Sequence, residues 1–157
     1  MKAIVSATTL ALAFAAFVSP CSAADDHKIL GPNHVKWSPG PPSLPKGAEA
    51  AVLFGDPSKE GLFAMRLKLP KGYQIAPHSH PKPEIVTVIS GTFRIGMGET
   101  ADPNKATPLP AGGLFAFPPG MTHFASTDED TVIQLNSTGP WTLNYVNPKD
   151  DPRQKTQ

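Results

Sequence analysis

Cysteine is almost missing from this chain: Cys21 stands alone among 157 residues. One thiol cannot close an intrachain disulfide, and the shortage of thiolates disfavours a soft metal such as Cu(I). An excess of either charge is missing as well. There are 14 Lys and Arg residues against 13 Asp and Glu, a formal net charge of +1 at pH 7. No basic stripe or charge block points to nucleic acid. The chain also lacks an internal repeat, a convincing helical stretch, a phosphate-binding loop and a Ser, Cys or Lys nucleophile constellation.

Turn-forming residues, by contrast, are abundant: 19 Pro and 13 Gly. Prolines make up only about 5% of an average protein. At 157 residues the chain has room for one domain with a sizeable core. Short apolar runs between Pro/Gly turns predict strands at 50–54, 62–69, 85–89, 92–97, 114–117, 131–136 and 141–146. The run 62–69 alternates cleanly, with Phe63, Met65, Leu67 and Leu69 on one face and Arg66 and Lys68 on the other. The run 85–89 is nearly all apolar, as in a strand covered on both faces. Residues 98–111 read as a loop and 147–157 as a polar, frayed tail. Phe93, Phe115, Phe117 and Phe124 read as core. Arg94 reads as solvated, with an anionic ligand as the alternative.

Residues 1–24 read as a secretory signal. Lys2 supplies the positive start, Ile4 to Val18 is uncharged and apolar, and Cys21-Ser22-Ala23-Ala24 offers small residues for cleavage. The apolar run is shorter than the roughly 20 residues a membrane span needs. Pro20, directly before Cys21, fits a lipoprotein signal poorly. The expected location is therefore periplasmic or secreted, with no membrane association after signal removal. Residues 25–49 form a proline-rich lead-in, in which Trp37 and Leu44 suggest packing against the domain at 50–146.

The chemistry concentrates in Gly72 to Gly91. His78 and His80 are two residues apart, so in a strand they project to the same side. Pro81 keeps His80 extended, and Pro81-Lys82-Pro83 interrupts any central strand. Glu84 then opens the next strand, expected to fold back beside the first. Two imidazoles and a carboxylate are a good start on a transition-metal site. A second stretch, Gly112 to Thr127, carries a Pro118-Pro119-Gly120 turn and then His123.

Together these stretches resemble the two motifs of the cupins. The first runs Gly72, five residues, His78, one residue, His80, three residues, Glu84, six residues, Gly91. The second runs Gly112, five residues, Pro118, one residue, Gly120, two residues, His123, three residues, then Thr127 where the family has asparagine. The resemblance extends over roughly residues 60–136. It implies an all-β antiparallel jelly-roll barrel, often dimeric, with one divalent metal held by His78, His80, Glu84 and His123. Three histidines and a carboxylate suit Mn, Fe, Ni, Co, Cu or Zn. Manganese or iron is favoured, because an octahedral ion keeps two positions open, whereas tetrahedral zinc would be closed and structural. The resemblance makes dioxygenase, isomerase, decarboxylase or lyase chemistry on a small organic substrate possible, with Glu84 as a possible base. A non-catalytic ligand- or metal-binding module and a purely structural metal are the alternatives.

Overall fold

The computed structural model describes residues 28–154. The signal reading of residues 1–24 lies outside the described residues, as do 25–27 of the lead-in and 155–157 of the tail. Among the described residues eleven strands are formed: β1 (Ser38–Pro39), β2 (Glu49–Phe54), β3 (Gly61–Leu69), β4 (Gln74–Ser79), β5 (Glu84–Ser90), β6 (Thr92–Met97), β7 (Thr107–Pro110), β8 (Leu114–Phe117), β9 (His123–Thr127), β10 (Thr131–Gly139) and β11 (Asn144–Tyr145). Helical structure among the described residues is limited to four single 3₁₀ turns. None is long and apolar enough to cross a membrane.

The strands form two antiparallel sheets. One has the order β1-β2-β3-β10-β5-β8 and the other β11-β4-β9-β6-β7. Alternation within each strand assigns its faces. In β3, Phe63, Met65, Leu67 and Leu69 are buried, while Leu62 between them and the turn is 71% exposed. In β10, Ile133 and Leu135 face the same interior, and β3 and β5 flank that strand on either side. Val86, Val88, Phe93, Ile95, Phe115 and Ala125 complete the core between the sheets. Each large side chain removed from water here contributes about 1.5–3 kcal/mol. This is an all-β jelly roll.

Gly91 and Gly96 are among the glycines required by close approach. Gly91 turns β5 into β6 at φ +75°, and a Cβ there would lie 2.6 Å from the Asp130 carbonyl oxygen. Gly96 receives the ring of Phe124 from the neighbouring strand, where a Cβ would sit 2.1 Å from the ring. Phe124 is thus buried on the outer side of its sheet rather than between the sheets.

Five expectations are corrected. Glu84 does open a strand, but β5 lies in the opposite sheet from β4, so the carboxylate faces the histidines across the barrel. The run 85–89 is covered on one face only, since Ile85 and Ile89 are each 43% exposed. The stretch 98–111 contains β7, paired with β6, and the run 141–146 keeps only Asn144–Tyr145 as strand. Residues 147–154 are tied down. Arg153 donates to the Leu143 carbonyl at 2.8 Å and to Thr142 Oγ1 at 2.9 Å, and it pairs with buried Asp151 at 2.8 Å.

Candidate metal centre

Strand pairing brings the first two histidines together. His78 on β4 is the register partner of His123 on β9, and their ring centroids are 4.4 Å apart. His80 follows β4 on the same side, 4.9 Å from His78 and 5.3 Å from His123 between centroids. All three are buried, and one nitrogen from each lies within 4.8 Å of the others. Glu84, 8% exposed, completes the group from the opposite sheet. Its carboxylate oxygens stand 3.4 Å from His80 Nε2 and 3.3 Å from His123 Nε2. The three histidines expected from the sequence therefore converge, and Glu84 reaches two of them, His80 and His123.

The hydrogen bonds of the outer nitrogens fix what the inner ones can do. His78 Nδ1 is 2.8 Å from the Ala76 carbonyl, His80 Nδ1 2.8 Å from that of Thr142, and His123 Nδ1 3.0 Å from that of Met121. A carbonyl oxygen only accepts, so each Nδ1 carries the proton and donates it. In the neutral ring each Nε2 then presents a lone pair inward, the arrangement typical of metal-binding histidine.

A charged imidazolium is disfavoured at this depth. Burial, then the neighbouring His123 and His80, hold the pKa of His78 down at about 2. Burial also lowers His80, against the upward pull of Glu84 and of its bond to Thr142. With each Nδ1 donating to a carbonyl, the Nε2 atoms of His80 and His123 are the ones turned toward the Glu84 carboxylate. His80 Nε2 and Glu84 Oε2 are buried without a hydrogen-bond partner. Such a cluster of acceptors is costly unless a cation joins it. The donor set, three imidazoles and one carboxylate, fits a divalent transition metal.

Apolar side chains enclose the site. Leu44, Val86, Phe115, Ile133, Trp141 and Leu143 line the cavity beside the four polar residues, and Glu84 carries its only carboxylate. The free volume is about 20 Å³, room for roughly one or two water-sized ligands. The space around the four residues is too small for an organic substrate. Two tyrosines anchor the lead-in beside the site: Tyr73 donates to the Pro45 carbonyl and Tyr145 to that of Ser43. Leu44, between those two anchors, is 5% exposed and reaches the cavity.

Sequence motifs did not identify Leu44, Leu143 or Trp141 as site residues, because all three lie outside the spaced motifs. Trp141 stacks on His80, with centroids 4.7 Å apart and 13° between planes. The only available signal was a large aromatic after Gly139-Pro140. Arg94 does not serve the site; it pairs with Asp128 at 2.7 Å at the surface. Thr127, where the motif departs from asparagine, takes a defined role. Its hydroxyl donates to the Pro70 carbonyl at 2.6 Å and accepts from the Tyr73 amide at 3.0 Å, fixing the entry to β4.

The two-sheet barrel and its histidine cluster define a jelly roll built to hold a single metal. Residues 65–135 match the family model for the cupin domain. The chain belongs to the cupin superfamily. Among curated proteins it is 31% identical over 113 residues to germin-like protein 1-1 of Oryza sativa subsp. japonica, covering 67% of this chain and 50% of the relative. It is 33% identical over 87 residues to germin-like protein subfamily 2 member 1 of Arabidopsis thaliana, covering 52% of this chain and 40% of the relative. The chain thus spans about half the length, or less, of these relatives.

Solved structures agree on the fold. The polyketide cyclase RemF from Streptomyces resistomycificus superimposes with a TM-score of 0.66 at 15% identity, covering 82% of this chain and 91% of that one. A putative acetylacetone dioxygenase from Methylibium petroleiphilum gives 0.60 at 19% identity, covering 80% and 85%. An RmlC-like cupin from Shewanella frigidimarina gives 0.55 at 17% identity, covering 71% and 90%. At these identities the likeness concerns the fold alone.

Proposed function

We propose that this chain is an exported, metal-dependent enzyme whose ion is held by His78, His80, Glu84 and His123. The observation that carries the reading is the Glu84 carboxylate at 3.3–3.4 Å from two imidazole nitrogens. When bound, manganese or iron, the favoured ions, would supply Lewis-acid or redox chemistry beside an apolar wall. The chain's own groups supply the rest. Three backbone carbonyls orient the imidazoles, the apolar lining excludes bulk water, and Glu84 can bind or accept a proton at a carboxylate oxygen. Within the set of dioxygenase, isomerase, decarboxylase and lyase chemistries, the small free volume favours reactions that handle a diatomic or water-sized ligand. A small organic substrate would enter by displacing Leu44. Export is supported by the order of charge, apolar run and small residues in the first 24 positions.

A purely structural ion is the second reading, and the same small cavity favours it. Glu84→Gln separates the two, since it keeps shape and an oxygen donor but removes the charge and any base function. At matched Mn or Fe occupancy, a catalytic site loses most of its oxygen uptake or carbonyl-substrate turnover in Glu84→Gln. Equal turnover in both proteins contradicts a catalytic role for the Glu84 charge. Absence of turnover in both, with no exchangeable water by nuclear relaxation, establishes the structural reading.

A further inference from the structure

An ion accounts for the acceptors of this site but leaves one donor unexplained. The buried side-chain polar atoms without a hydrogen bond among the described residues are His80 Nε2, Glu84 Oε2 and Trp141 Nε1. The first two are acceptors and would turn to a cation. The third is an indole N–H, which can only donate. A cation repels it, and it makes no hydrogen bond to either Glu84 oxygen. Trp141 nevertheless lines the same cavity as the four polar residues. Its ring is held on two sides, flat against His80 and edge-on to Phe63 at 6.3 Å and 67°. Its backbone amide is also fixed, by a 2.8 Å bond to the Pro57 carbonyl. The indole is therefore fixed in place by packing and a backbone bond, with its donor unused.

We propose that the Trp141 N–H donates a hydrogen bond to the exchangeable ligand of the ion, making Trp141 a specificity residue. The ligand class follows from the surroundings. One atom must reach the ion and an acceptor lone pair must face the indole. The whole must fit a cavity of about 20 Å³. Small anions and diatomic or triatomic molecules with terminal acceptors satisfy these conditions, whereas ligands that present only C–H groups to the indole do not. This inference rests on the metal-site reading above, and its test keeps the two apart.

The probe is azide, added to the full chain loaded with Co(II) and titrated by visible absorption. Trp141→Phe retains a ring against His80 but removes the donor. The expected result is near-stoichiometric Co(II) in both proteins, with azide bound about 10-fold more weakly by Trp141→Phe, the size of one lost hydrogen bond. A second measurement needs no change at Trp141. In Co(II)-loaded Trp37→Phe protein the single indole proton resonance should shift when azide is added. Equal azide affinity in the two Co(II) proteins, an unmoved indole resonance, or no azide binding to the wild type overturns the role of Trp141 while leaving the metal site intact. Failure of the wild type to bind Co(II) overturns both readings.

Discussion

Trp141 lies flat on His80, with 4.7 Å between ring centroids and 13° between planes, so the largest side chain of the cavity wall rests on an inferred metal ligand. The only other tryptophan, Trp37, lies far along the chain, with the Lys68 ammonium 4.2 Å from its ring centroid. In Trp37→Phe, fluorescence therefore reports on the site alone. A paramagnetic ion such as Cu(II) or Co(II) should quench it by more than half at one equivalent, and Zn(II) should not. Undiminished emission with a saturating paramagnetic ion contradicts an ion on His80.

Acid should destabilise the metal-free protein before carboxylates titrate. An unfolded histidine has a pKa near 6.5, whereas folding lowers that of His78 to about 2 and also lowers His80. Below about pH 6.5 the unfolded state therefore binds protons that the folded state refuses, and stability falls as pH falls. The contribution is fully present at neutral pH. It is lost by at most about 1.4 kcal/mol per pH unit for each histidine. Urea unfolding in chelator at pH 7, 6 and 5 measures the slope. His78→Gln should flatten it, and an unchanged slope would speak against a buried neutral His78.

Thr127→Val removes a hydroxyl that both donates to Pro70 and receives the Tyr73 amide. The expected loss is about 1–3 kcal/mol, with metal stoichiometry unchanged because Thr127 contributes no ligand. Chemical denaturation beside metal analysis tests both halves. A variant that folds normally but no longer holds metal would show that Thr127 serves the site directly.

Leu44→Ala should open the cavity. Removing a buried leucine side chain costs about 2–5 kcal/mol. The gap adjoins the histidines, so transfer of bound metal to a chelator should accelerate severalfold relative to wild type. Unaltered transfer at lowered stability would place the exchange route elsewhere.

Most of this arrangement was legible in the chain before any coordinates. Period-2 alternation located β3 and put His78 and His80 on one side of a strand, and the resemblance to the two cupin motifs implied Glu84 and His123 as their partners. What remained hidden depends on pairing across distance. Whether β5 returns beside β4 or crosses to the other sheet is decided by which sheet receives Val86 and Val88, and local sequence does not encode that. Ile85 and Ile89 imitate a doubly covered strand because apolar residues also occur on exposed faces. The lead-in reaches the site through Leu44 only because Tyr73 and Tyr145 offer hydroxyls to Pro45 and Ser43, partners 28 and 102 positions away. Arg153 likewise turns a polar tail into an anchor for Thr142 and Leu143, and the Thr142 carbonyl orients His80.

The central claim is that the four inward-facing residues hold one ion, and metal content after reconstitution tests it most directly. Wild type, His78→Ala/His123→Ala and Glu84→Gln would each be loaded with Mn(II) or Fe(II) at neutral pH, desalted and analysed for metal per chain. The expected result is near one ion per chain in wild type, a lowered fraction in Glu84→Gln and none in the double variant. A wild type without bound ion, or a double variant that binds as well as wild type, contradicts the account.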